Sequence, residues 1–571
     1  MKLSRSLQTA LLVRVAAHRG ARVERVVARA AQRPRETQWE VLARILSSQA
    51  ETGFGRQHGF SEIRSEEEFR ARVPIHDYED LRPWIEEQDA CGKPVLNREQ
   101  PVCYALTSGT TGQPKYIPIL ADTLKAHRRT QDLFLFHLLA ERPDCLKGRI
   151  LAVVSPAVES HSPGAGIPCG STSGQMYESI PALVRSKYVI PPTVFSVSDY
   201  DVKYLLILRL ALVCPDITYL TTANPSTLAR LIFLARTHWD RLLLDIACGG
   251  FHCLDALTTA ERRAVERRLK ADPKRALELA ALKSEKGAVR IRDLWPELQA
   301  VGVWTGGSSS IFLDQLEAEF AEHTTIRDIG YLSSEFRGSV PLTSGTSAGV
   351  PTFWDNYFEF VSCDLWDAGA PKFLGLEELV DGGRYYVFVT TDAGLYRYHM
   401  NDIVEVNGFY ELVPRLAFVQ KGKGVTNISG EKLYESQVLS AVTEVEAEYK
   451  LTSNFYLMVA DEHAARYVLY YEASALYGVG REFPGEAFEK SLDHALTRHN
   501  LEYGCKRKSG RIAAPRVALL RRGAFERFKR SCLARGQREG QFKIVALQYA
   551  RDLHFDFETE VACEDLEQDW D

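Results

Sequence analysis

Nine residues constrain this chain more than any others: Thr107-Ser108-Gly109-Thr110-Thr111-Gly112-Gln113-Pro114-Lys115. The apolar run Val102 to Leu106 leads in and Tyr116 to Ile119 leads out, so the pattern predicts strand, loop, strand. Gly109 and Gly112 free the backbone to curl consecutive amides around an anion. Ser108, Thr110 and Thr111 add hydroxyl donors, and Lys115 adds a mobile cation. A P-loop sets Gly-Lys-Ser/Thr at the start of a helix. Here the lysine follows Gln-Pro and a strand comes next. The loop therefore reads as a grip on the phosphates of ATP while a carboxylate attacks.

At 571 residues, two or more domains are expected. A 45% hydrophobic, 25% charged composition can bury a sizeable core, and a net charge of −5 argues against general nucleic-acid binding. The 11 cysteines are scattered without a Cys-x-x-Cys pair, which suits buried free thiols in a reducing cytoplasm. Cys248, His252 and Cys253 form only a weak metal-like cluster. No long uncharged apolar run is present, so no membrane span is expected; Tyr204 to Val213, interrupted by Arg209, reads as a core helix. The N-terminus is basic, with Lys2, Arg5, Arg14, Arg19, Arg22, Arg25, Arg29, Arg33 and Arg35 opposed only by Glu24. It fits a solvated helix face, a transit peptide or an anionic-surface contact.

Helical spacing marks residues 1–60, with Gly53, Gly55 and Gly59 expected to end that region. Ser65 and Glu68 have capping-box spacing. A helix is expected over Asp122 to Leu139 and a buried strand over Arg149 to Ser155, an alternation that predicts an α/β core. Residues 156–175, rich in Ser, Gly and Pro, are either a surface loop or a wall of a substrate pocket. A strand is expected at Arg384 to Thr391 and a tight turn at Asp392-Ala393-Gly394. Near Gln420 to Gly424 the chain turns polar, dividing a large domain, 1–420, from a smaller α/β domain, 421–571.

Activating a carboxylic acid with ATP sets chemical requirements. The triphosphate must be held, the nucleoside placed, Mg²⁺ bridged to phosphate oxygens, and charge at the α-phosphorus stabilised. Gly306-Gly307 permits close approach to a flat purine, and Glu335 is a hard oxygen ligand for Mg²⁺. Asp402 can accept hydrogen bonds from ribose hydroxyls, or cap a turn, or pair with Arg397. Lysines past residue 420 can add charge. An echo of the first loop, Leu342 to Gly349, continues without a lysine and reads as an ordinary turn.

In combination these motifs resemble the adenylate-forming superfamily and, more closely, the Gretchen Hagen family of acyl acid amido synthetases. The residues that carry the resemblance are the loop 107–115, Gly306-Gly307-Ser308, Tyr331-Leu332-Ser333-Ser334-Glu335 and Tyr396-Arg397-Tyr398-His399-Met400-Asn401-Asp402. Thr426 to Glu435 and Gln541-Phe542-Lys543 extend it to most of the chain. Two residues depart from the family pattern: His399 stands where arginine is usual, and Asn401 where glycine is usual. Asparagine tolerates positive φ better than other non-glycine residues.

The resemblance implies a luciferase-like large α/β domain and a small mobile domain; Gly422 and Gly424, small residues in the polar stretch between them, read as its hinge. It implies ATP and Mg²⁺ as co-substrates, a carboxylic acid and an amine such as an amino acid as reactants, and an acyl-adenylate between the two steps. It assigns Ser108, Gly109, Thr110, Thr111, Gly112 and Lys115 to phosphate. Gly306, Gly307, Tyr331, Ser333 and Ser334 go to the adenylate, Glu335 to Mg²⁺ and Asp402 to ribose, and Lys432 and Lys543 come from the small domain. A cytoplasmic monomer is expected. An acyl-CoA ligase and a catalytically idle nucleotide- or acid-binding relative are the rival readings.

Overall fold

The computed structural model describes residues 5–108, 114–307, 309, 313–422, 424–429, 431–474, 483–535, 537, 542 and 544–562. Two compact units emerge. One comprises Met1–Thr305, Ala318–Met400 and Val404–Phe418; the other comprises Gly306–Glu317, Asn401–Ile403 and Val419–Asp571.

The first unit opens with helices α1 (Arg5–Ala31) and α2 (Pro34–Gln49). Gly53 and Gly55 do not end the helical region as expected; they start a short helix, Gly53–Gln57, capped by Thr52. Gly55 allows that helix to press on the previous one, since a Cβ there would fall 2.1 Å from the Gln49 carbonyl oxygen. Ser65 caps the helix Glu66–Arg72 through the Glu68 N–H, while the Glu68 carboxylate accepts from the Arg64 N–H rather than closing on Ser65. Helix α3 (Tyr78–Cys91) starts from a full capping box between Asp77 and Asp80.

Strands β1 (Cys103–Ser108) and β2 (Pro114–Ile119) form the expected pair around the loop, and α4 (Ala121–Glu141) follows. Then come β3 (Arg149–Val153), β4 (Ser160–His161), β5 (Pro168–Gly170), β6 (Ile217–Thr222), β7 (Ala300–Gly302) and β8 (Thr325–Arg327). One sheet has the order β2-β1-β5-β4 and another, all parallel, β3-β6-β7-β8. Residues 156–175 are thus not free loop: they supply β4 and β5, with β5 parallel to β1. The buried Asp89 of α3 ties this stretch down, accepting from Ser162 Oγ at 2.6 Å and Gly164 N–H at 2.8 Å.

A third, four-stranded sheet orders β9 (Tyr357–Ser362), β10 (Arg384–Thr390), β11 (Tyr398–Tyr410) and β12 (Val413–Lys421). The turn after β10 depends on Gly394 at φ +92°. The run with Arg209 is a core helix, Tyr200–Leu212, whose guanidinium donates to the carbonyls of Gly250, Asp245 and Lys270. The second unit packs helices on a sheet of β13 (Ser453–Asp461), β14 (Arg466–Ala473), β15 (Arg516–Leu519) and β16 (Leu547–Tyr549), in the order β15-β14-β13-β16. Among the described residues no helix is long and apolar enough to cross a membrane.

Candidate active site

The β1–β2 register sets Thr107 opposite Lys115 and Ser108 opposite Pro114, so Lys115 stands where the hairpin opens. Its ammonium lies 5.4 Å from the centre of the Tyr78 ring, and Arg82 lies over the same ring at 4.6 Å. The Tyr78 hydroxyl accepts the Tyr116 N–H at 2.6 Å, fixing strand to helix. Burial pushes the Tyr78 phenol up to about 12, so it stays neutral. Gly109, Thr110, Thr111 and Gly112, and the side chain of Ser108, lie outside the described residues.

The parallel sheet ends in a second group. Asp328, just past β8, accepts from Gly330 N–H at 2.6 Å, Thr305 N–H at 2.6 Å and Thr305 Oγ1 at 2.8 Å. One buried carboxylate therefore staples the ends of two neighbouring strands, where ligands of open α/β sheets bind. Tyr331 follows, its N–H donating to Ser339 Oγ and its ring stacked on Phe418 at 5.8 Å. Ser333 is drawn into a tight turn, exchanging backbone and hydroxyl hydrogen bonds with Phe336. Ser334 and Glu335 form the tip of that turn, and Glu335 has no ion pair among the described residues. A half-exposed carboxylate in that position suits a hard cation that arrives with nucleotide.

Arg337, two residues on, is partly buried in the same unit. It donates to Gln131 Oε1 at 3.2 Å, while its Nε has no acceptor and no carboxylate pairs with it among the described residues. Burial pulls its pKa down to about 10. His127, buried on α4, is held at about 3 by burial and then by the Arg337 charge. A cation without a counter-charge in this interior is costly unless an anion arrives.

In the second unit, Asp402 is buried and its Oδ1 lies 2.5 Å from Lys421 Nζ. Asn401 takes φ +52°, a left-handed conformation that asparagine tolerates better than other non-glycine residues, and its carbonyl accepts the Gly422 N–H at 2.8 Å. Gly307 has φ +60°. Glu431 binds the Ile428 and Ser429 N–H groups and the Tyr467 hydroxyl; burial would raise its pKa, but these donors outweigh it and lower it. That staple and Asn500, donating to the Lys432 carbonyl at 2.7 Å, fix the backbone that carries Lys432. Gly424 is boxed against Glu435, which donates its N–H to the Gly424 carbonyl. Lys543 lies outside the described residues.

Other residues singled out in the sequence also find their places. Arg397 does not pair with Asp402: it forms a buried two-bond pair with Glu359 at 2.9 and 3.1 Å and sits at φ +47°. His399 joins an aromatic cluster, stacked on Phe388 at 4.8 Å beside Trp366. In the lysine-free echo, Ser344 donates to Glu141, as suits an ordinary turn. His252 binds Asp245 at 2.6 Å, and no group of three metal-binding side chains occurs among the described residues. Asp328, Arg337 and the Lys421 partner of Asp402 carried no local signal, because each is defined by contacts distant in sequence.

A parallel sheet with loops at its strand ends, a β1–β2 hairpin and a smaller α/β unit place the chain among multidomain α/β proteins. Three family models match in order: the GH3 family N-terminal domain over residues 24–326, the central domain over 350–421 and the C-terminal domain over 436–551. The chain belongs to the GH3 family. It is 28% identical to the Probable indole-3-acetic acid-amido synthetase GH3.12 of Oryza sativa subsp. japonica, covering 89% of this chain and 90% of that one. It is 26% identical to the indole-3-acetic acid-amido synthetase GH3.6 of Arabidopsis thaliana, covering 89% and 88%. The GH3.15 acyl acid amido synthetase shares the fold at TM-score 0.81 and 22% identity, covering 94% and 95%. A 2-hydroxyisobutyryl-CoA ligase shares it more distantly, at TM-score 0.55 and 15% identity over 92% and 90%.

Proposed function

We propose that this chain is an ATP-dependent acyl acid amido synthetase. The observation that carries the reading is the unbroken order of the three GH3 domains from residue 24 to 551, with Lys115 held at the mouth of the β1–β2 hairpin. In the first step a carboxylate oxygen of the acid attacks the α-phosphorus of Mg·ATP; the bond to the bridging oxygen breaks and pyrophosphate leaves. In the second an amine, an amino acid by kinship with the named relatives, attacks the acyl carbon. The bond to AMP breaks, AMP leaves, and the amine loses a proton to water.

The loop 107–115 grips the departing phosphates, with Lys115 opposing their charge as it grows. Glu335 would hold the Mg²⁺ that accompanies ATP, which would neutralise phosphate charge there. Tyr331, Ser334, Gly306 and Gly307 line the adenylate, Asp402 holds ribose, and Lys432 and Lys543 act from the C-terminal part of the chain. Ser333 supports the turn that presents Ser334 and Glu335. Arg337 gives the incoming acid its counter-charge.

ATP–pyrophosphate exchange across a panel of carboxylic acids, followed by product analysis with amino acids and with CoA, tests this reading. Exchange with at least one acid, and amide as product, is expected. Lys115→Ala should lower the exchange rate about 10²–10³-fold, the loss typical of one charge-stabilising donor. Exchange with no acid would favour an idle relative, and thioester without amide would favour a CoA ligase.

A further inference from the structure

Helix α1 is docked along one face only. Gly20 lets it cross α4 closely: a Cβ there would fall 2.3 Å from Phe136 Cβ and 2.6 Å from the Asp132 carbonyl oxygen. Thr9 Oγ1 accepts from Lys187 Nζ at 2.6 Å, and the Ala31 carbonyl accepts the Leu412 N–H at 3.2 Å. Glu24, the one acid in the first 35 residues, turns inward to His137 at 2.8 Å and the Tyr410 hydroxyl at 2.7 Å.

The outward face is different. Arg14, Arg22, Arg25 and Arg29 are exposed and have no carboxylate partner among the described residues. Between them Leu11, Val15 and Val26 are 47%, 46% and 56% exposed. Arg19 pairs with Asp132 and Arg33 with Glu40. The stripe from Leu11 to Arg29 is roughly 27 Å long at the helical rise. It begins ahead of residue 24, where the family match starts, and the chain that carries it is acidic as a whole.

We propose that α1 is a peripheral docking surface for an anionic lipid bilayer, lying flat with its arginines at the phosphates and its aliphatic side chains at the headgroup boundary. Aligned arginines repel one another and exposed aliphatics gain nothing from water; an anionic layer with an apolar interior relieves both. A nucleic acid would satisfy only the charges.

Cosedimentation of the full chain with vesicles tests this. Phosphatidylcholine alone is compared with phosphatidylcholine and phosphatidylglycerol at about seven to three. Binding is expected only to the anionic vesicles and should fall with added salt. The variant Arg14→Glu/Arg22→Glu/Arg25→Glu/Arg29→Glu should weaken partitioning roughly a hundredfold or more, at about fivefold per arginine. The variant Leu11→Ser/Val15→Ser/Val26→Ser should weaken it about tenfold. Circular dichroism, and activity in vesicle-free buffer, should be unchanged in both. No sedimentation, or equal sedimentation with both vesicles, overturns the proposal. So does binding, to vesicles or to a duplex RNA, that the charge variant abolishes and the aliphatic variant leaves intact.

Discussion

Arg327 and Arg337 stand ten residues apart in one interior, and the fold treats them in opposite ways. Arg327 is fully buried and paired with a carboxylate, although its Nε, like that of Arg337, has no acceptor among the described residues. It meets Glu141 at 2.6 Å, donates to the Pro341 carbonyl at 3.1 Å and lies 5.3 Å over the Phe134 ring. Glu141 in turn takes the Ser344 hydroxyl, so one ion pair ties β8, α4 and the turn at 344 together. Arg337 has a single amide partner and no counter-charge among the described residues. A buried pair serves the framework, whereas a partly buried cation without a counter-charge loses hydration and gains little in return. The first is explained by folding alone. The second makes sense when an anion binds beside it.

The largest effect should follow from breaking the paired member. Arg327→Met strands the Glu141 carboxylate and the Pro341 carbonyl, and should cost about 3 kcal/mol of stability, measured by urea unfolding. Glu141 is itself partly exposed, which keeps the loss below that of a fully buried pair. Arg337→Met should move stability by less than about 1 kcal/mol, and toward gain, because an unpaired charge leaves the interior. Its cost should appear in catalysis instead. The KM for the acid should rise about tenfold while that for ATP stays put, the mark of lost ground-state binding. A stability loss equal to that of Arg327→Met would erase the contrast.

The sequence made the local pieces legible and the pairings illegible. The β1–β2 strands, the strand at Arg384 and the turn at Gly394 follow from alternation and turn chemistry within a few residues. Asn401 was readable too, since asparagine enters the left-handed region, here φ +52°, more easily than most other non-glycine residues. Glycines misled at 53 and 55, where close packing and a Thr52 cap, not chain termination, explain them. Residues 156–175 looked loop-like because their order comes from Asp89, far back on α3. The partners Arg397–Glu359, Asp402–Lys421 and Asp328–Thr305 lie 38, 19 and 23 residues apart, and no periodicity specifies such pairs. Motif order therefore pointed to the chemistry, while the residues that brace the motifs needed three dimensions.

His127 offers the finest test of the Arg337 contrast. Burial first, and the neighbouring Arg337 cation second, hold its pKa near 3 rather than the ordinary 6.5. The unfolded chain therefore takes up the proton first. The stabilisation from keeping His127 neutral is complete above about pH 6.5 and is lost as pH falls from there toward about 3. His127→Gln should remove this component, which a urea midpoint followed from about pH 8 to about pH 4 would reveal as a shallower fall. Carboxylates also titrate in that range, so the difference between variant and parent is the informative quantity. Arg337→Met should shrink the His127 component by less than about 1 kcal/mol, since a neighbouring charge moves a pKa by less than burial does at this site. If the pH profile of Arg337→Met overlays that of the parent, the Arg337 charge is screened at His127, and the interior is wetter than its unpaired cation implies.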